Sequence, residues 1–62
     1  MIKVIQNRNF QNWFSVTNQK TDEVSEVGNR KQALRLAVKL AKEHKQSQVV
    51  VEDIKGMQII PV

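Results

Sequence analysis

His44 is the only histidine in the chain, and cysteine and tyrosine are absent. A Ser-His-acid constellation would need His44 beside Ser15, Ser25 or Ser47, with Asp22, Asp53 or a glutamate to orient the ring. No spacing in the chain favours that arrangement. His44 falls at the end of a helical pattern, on its apolar side, where capping or packing is the expected role rather than ligation or base chemistry. Glu52 and Asp53 are adjacent, and strand neighbours point to opposite faces, so they do not read as a carboxylate pair. One histidine and no cysteine make a specific transition-metal site an unfavourable reading. No glycine-rich phosphate-binding loop is present either. The expectation is a protein that is not an enzyme, with no catalytic, cofactor-binding or metal residues and no small-molecule substrate implied.

The more informative chemistry is cationic. Lys31, Arg35, Lys39 and Lys42 fall within an arc of about 80° on a helix, at about 100° per residue. Lys31/Arg35 and Arg35/Lys39 are like-charge pairs four residues apart, each costing a few tenths of a kcal/mol. Lys31 also stands in the first turn, where the helix dipole disfavours a cation. A face built only for solubility would interleave glutamate. The stripe therefore marks a candidate contact for an acidic partner, either nucleic-acid phosphate or an acidic protein. The plainer reading is that it supplies net charge and nothing more.

Phe10, Trp13 and Phe14 are the only aromatic residues and cluster in one stretch away from that helix, so base stacking on the basic face is not indicated. Phe14 is expected in the core. Phe10 and Trp13 bracket a polar turn and are candidates for a protein interface, because exposed Trp is enriched at interface hot spots.

The elements that would position these groups follow from periodicity. Ile2, Val4 and, with a slip, Ile5 form a short β-rich run. Asn7-Arg8-Asn9 reads as a turn. In Trp13 to Thr17, Phe14 and Val16 share one face while Trp13, Ser15 and Thr17 share the other. A second turn at Asn18 to Asp22 leads to a weaker strand, Glu23 to Val27, expected at an edge. Asn29 is a good N-cap, and Gln32 can complete a capping-box-like pair. Helical spacing follows, with Ala33, Ala37, Leu40 and His44 at the centre of one face and Leu34, Leu36 and Ala41 flanking them. The alanines suggest close approach to a flat partner. No glycine marks the helix C-terminus.

Val49-Val50-Val51 is the strongest strand signal and points to burial on both faces or a central place. Asp53-Ile54-Lys55-Gly56 fits a type I turn. Met57 to Ile60 returns as a strand that Pro61 ends or places at an edge. The expected fold is α+β, a single domain over residues 1–62 in the order β-β-β-α-β-β, with one helix on one face of a mostly antiparallel sheet.

The order and residues resemble the bacterial family called domain of unknown function 2188. The matching pieces are Phe14-Ser15-Val16, then Asn29 to Ala33 with Ala37 and Leu40-Ala41, and finally Val49 to Ile59 with Gly56 in its turn. The resemblance covers nearly the whole chain and rests on a packing pattern rather than a chemical signature. Family members usually carry Thr or Ser where Asn29 stands. Their aromatic, usually Trp, falls on Phe14 when Val16 is matched and on Trp13 when the aromatic is. The resemblance implies the fold and no activity.

Composition sets the frame for these expectations. Sixty-two residues allow one domain. Ordering the chain costs roughly 1.5 kcal/mol per residue, close to what apolar burial returns at this size. No disulfide can supply the difference. The chain is expected to be economical, oligomeric or helped by a partner, with a homodimer the simplest case. No apolar run approaches the roughly 20 residues of a membrane span, and the start lacks the pattern of a signal peptide. The expectation is a complete small cytoplasmic polypeptide with no membrane partner.

Overall fold

The computed structural model describes residues 1–62. Five strands and one helix appear in the expected order: β1 (Ile2–Gln6), β2 (Phe14–Asn18), β3 (Glu23–Val27), α1 (Arg30–Glu43), β4 (Gln48–Asp53) and β5 (Gly56–Pro61). They form one α+β layer pair, a sheet with strands in the order β3-β2-β1-β4-β5 and α1 on one face. The pairings β1–β2, β2–β3 and β4–β5 are antiparallel. β1–β4 is parallel, with Ile2 opposite Val49 and Val4 opposite Val51. The helix makes that parallel pair possible, because a parallel neighbour requires a long crossover.

The core lies between helix and sheet. Ile2 and Val4 of β1, Phe14 and Val16 of β2, and Val49 and Val51 of β4 meet Ala33, Ala37 and Ala41 of α1. All three alanines are fully buried. A methyl group at each successive turn lets the helix axis lie close to the sheet, and Leu34, Leu36 and Leu40 close the flanks. This moves the buried line away from the expected one. Ala41 belongs to the centre rather than the flank, Leu40 is half-buried, and His44 is exposed. The i, i+4 spacing of small side chains decides the contact, and His44 lies past the last helical residue, beyond the sheet.

Local chemistry sets the boundaries. Asn29 Oδ1 accepts from the Gln32 N–H at 2.7 Å, the N-cap bond; the reciprocal half of a capping box is not formed. At the other end the Gln46 N–H donates to the Ala41 carbonyl (2.7 Å) and the Lys45 N–H to Lys42 (3.3 Å). That is a Schellman closure with Lys45, at φ 56°, in the left-handed position that glycine usually fills. Asp53 Oδ1 accepts from the Lys55 N–H (2.8 Å), and Gly56 takes φ 118°, which closes the β4–β5 turn. Asn18 is strand rather than turn. It is buried at the end of β2, where its Oδ1 accepts from the Lys20 N–H (3.0 Å) while its Nδ2 has no partner.

Candidate interaction surface

The face opposite the helix is laid out by the registers. On that face one row across the sheet reads Val24, Thr17, Lys3, Val50, Ile59, and the next reads Glu26, Ser15, Ile5, Glu52, Met57. No element of the chain covers it. The expected slip at Ile5 does not occur. Ile5 alternates regularly with Val4 and points to the open side, where it is exposed. Lys3 Nζ lies 3.4 Å from Glu52 Oε2, so an ion pair crosses from β1 to β4 in the middle of this face. Val50 is only 6% exposed although it too points there, shielded by its neighbours in the row. The valine run is thus buried on both faces, in a strand one place from the edge.

The apolar groups concentrate on one side of the face. α1 lies over β1, β2, β3 and β4 but not β5, where only Ile60 on the helix side packs against the core and the other side chains are exposed. Ile59 is 62% exposed, and Met57 is similarly bare. Ile54, in the turn before β5, is also exposed. At 4522 Å² the accessible surface exceeds the roughly 4,100 Å² expected for a 7.2 kDa monomer.

Both sheet edges are short. The Val62 N–H donates to the Ser47 carbonyl (2.9 Å), which fixes the alternation of narrow and wide pairs along β4–β5. The N–H and C=O groups of Met57 and Ile59 consequently point outward. Pro61 belongs to the same outward set, so its missing N–H takes nothing from the ladder and shortens the free edge. On β3 the corresponding outward residues are Val24 and Glu26, by the alternation set at Gln19–Met1 and Asn7–Trp13. β3 occupies the edge expected for it.

Trp13 and Phe10 lie at one end of the open face. Trp13 continues the side of Ser15 and Thr17, and its ring rests on Gly28, where an added Cβ would stand 3.3 Å from Cζ3. Phe14 is the residue that enters the core, which settles the facing of the two aromatics. Trp13 remains 39% exposed and Phe10 69% exposed, and with Asn7, Asn12 and Glu26 they border a shallow recess. The loop carrying them is held by Asn7, whose Oδ1 accepts from the Asn9 N–H (2.8 Å) and the Phe10 N–H (3.0 Å).

The basic stripe lies on the far side of the molecule. Lys31, Arg35, Lys39 and Lys42 are all exposed on α1, and none of them takes part in an ion pair. Their neighbour Arg30 does. Its guanidinium lies 3.4 Å from the largely buried Asp53 carboxylate and ties the start of the helix to the β4–β5 turn. His44 projects from the C-cap of α1, and its ring makes no hydrogen bond. No three His, Cys, Asp or Glu side chains gather where they could hold a metal ion. No helix is long and apolar enough to cross a membrane. Phe10 and Trp13 stand out in the sequence as interface candidates, whereas Met57 and Ile59 become conspicuous only once the register of β5 against β4 puts them on the open face. Comparison with known proteins finds no family model, no curated protein and no solved structure that matches this chain.

Proposed function

We propose that this protein is a non-enzymatic interaction module that associates with itself through the open sheet face or a sheet edge. The observation that carries this reading is the apolar part of that face, Ile5, Met57 and Ile59 around the Lys3–Glu52 pair, which no element of the chain covers. Exposed apolar patches rimmed by polar groups mark interaction sites, and a chain of this size gains stability by burying one. The resemblance to the domain of unknown function 2188 family belongs to the same proposal, as a shared scaffold without assigned chemistry. Sedimentation of the intact chain tests it. A mass that rises toward twice 7.2 kDa across the micromolar range is expected, and monomer alone at high micromolar concentration refutes self-association.

A second reading has an observation of its own, the four unpaired cations on the back of α1. They suit nucleic-acid phosphate. Four phosphate contacts give a log–log salt slope of about −3.6 on duplex DNA. Arg35→Glu with Lys39→Glu should abolish binding, and no detectable binding of the native chain to DNA or RNA at low ionic strength excludes it.

A further inference from the structure

We infer that the occupant of the open face is a second copy of this chain, docked face to face about a two-fold axis that runs across the strands, between the row of Lys3 and the row of Ile5. This rests on the self-association reading and specifies which surface it uses and in what geometry.

The pattern of the two rows carries the inference. In the row of Lys3 the order along β1, β4 and β5 is Lys3, Val50, Ile59; in the next row it is Ile5, Glu52, Met57. A two-fold axis between these rows, perpendicular to the strands, exchanges them. Each β1 then lies over the other β1, each β4 over the other β4, and each β5 over the other β5. Met57 of one copy meets Ile59 of the other, twice. Ile5 of one copy covers the stem of Lys3 in the other. Glu52 of one copy sits over Val50 of the other and beside the other copy's Lys3. The ion pair already present at 3.4 Å within each copy becomes a ring of two lysines and two glutamates with alternating sign. The apolar contacts flank the ring on the β5 side. A flip of the axis to run along β4 would instead set Glu52 against Glu52, so the charges select one orientation and reject the other.

The area is adequate for such a pair and not for a tight one. Five strands about 4.8 Å apart and four residues of each, rising about 3.3 Å per residue, make a face that loses roughly 500 Å² per copy once side-chain relief is included. The total, about 1,000 Å², stands at the lower bound for a specific interface. The excess of exposed surface in the single chain is of the same order. An edge-to-edge pairing is the poorer alternative, since β5 offers outward N–H groups only at Met57 and Ile59, and the outward residues of β3 include Glu26.

Charge exchange between two variants tests the geometry. Lys3→Glu leaves Glu beside Glu52 in each copy, and Glu52→Lys leaves Lys beside Lys3. Each variant alone should self-associate at least about tenfold more weakly than the native chain, from like charges across the axis. Mixed one to one, the two should form a heterodimer, because the new Glu at position 3 then faces the new Lys at position 52 across the axis, and the native Glu52 of the first chain faces the native Lys3 of the second. The doubly exchanged chain, K3E with E52K, should self-associate like the native one. All are read by sedimentation and by native mass spectrometry, with far-UV circular dichroism checking that each variant is folded. Both side chains are partly exposed, so folding should tolerate the changes. Ile59→Lys, at a bare position, provides a second disruption with no effect on the core and should give monomer. If the native chain is monomeric throughout, self-association itself is overturned. If it dimerises but the single variants dimerise equally well, or no heterodimer forms on mixing, the face-to-face geometry is overturned and an edge remains as the self-association surface.

Discussion

Replacing Ala37 by leucine tests the spacing on which the whole fold depends. Ala37 is the middle of the three buried alanines, with no exposed surface, and belongs to the core cluster that α1 forms with β1, β2 and β4. Leucine adds three carbon atoms where the helix and sheet leave no room. Alanine and leucine have similar helix propensities, so the helix itself loses little. The cost is overpacking, about 1–3 kcal/mol and occasionally more. A core of this size supplies about 3–5 kcal/mol in total. The substitution should therefore remove around half of the stability and lower the melting midpoint by roughly 10–20 °C, at about 4–8 °C per kcal/mol for a domain this small. Far-UV circular dichroism melts at one low protein concentration measure it while holding any dimer contribution constant. Arg35→Ala, on the exposed back of the same helix, is the control and should stay within about 0.5 kcal/mol of the native chain. An Ala37→Leu midpoint equal to that of Arg35→Ala would refute the close approach of helix to sheet.

Three further outcomes follow from local geometry. Gly28→Ala places a Cβ 3.3 Å from Trp13 Cζ3; the ring should tilt toward water, with a red-shifted fluorescence from this single tryptophan and a loss of about 1 kcal/mol in urea unfolding. Lys45→Gly relieves a left-handed lysine at φ 56° in the Schellman closure; it should raise the thermal midpoint by up to about 1 kcal/mol equivalent, and a fall would show that the lysine costs nothing there. Asp53→Ala removes both the acceptor for the Lys55 N–H and the partner of Arg30; a loss of about 1–2 kcal/mol is expected, with Asp53→Asn losing less because it keeps the turn bond.

Much of the architecture was legible because local and global preferences agree. Asn29 as N-cap and Gly56 in its turn each have one physical reading, the valine run and Pro61 two compatible ones, and the fold uses all four residues' preferences. The helix face was legible in outline but not in its centre, where Ala41, Leu40 and His44 fall differently. A sum of hydrophobicity over a helical wheel draws Leu40 and His44 inward, whereas the sheet admits side chains by size and selects Ala33, Ala37 and Ala41. The end of the helix was hidden for a different reason. Lys45 adopts a backbone conformation that its type disfavours, so nothing in its identity announces the cap. The open face was partly legible, since alternation in β2 assigned Trp13 to it. The β5 share depended on strand order, and strand order follows from a parallel pairing between residues near opposite ends of the chain.

That parallel pairing also governs how the chain assembles. β1 is made first and ends in the middle of the sheet, yet its neighbour β4 arrives only after two strands and the helix have been made. During synthesis the first four elements can form a unit in which one side of β1 is an open ladder. The β4–β5 hairpin completes it last. That hairpin joins the rest chiefly through β1, so the same docking can take place between two nascent chains. Hairpin exchange, rather than unravelling from a sheet edge, is the misassembly to which this topology is most exposed.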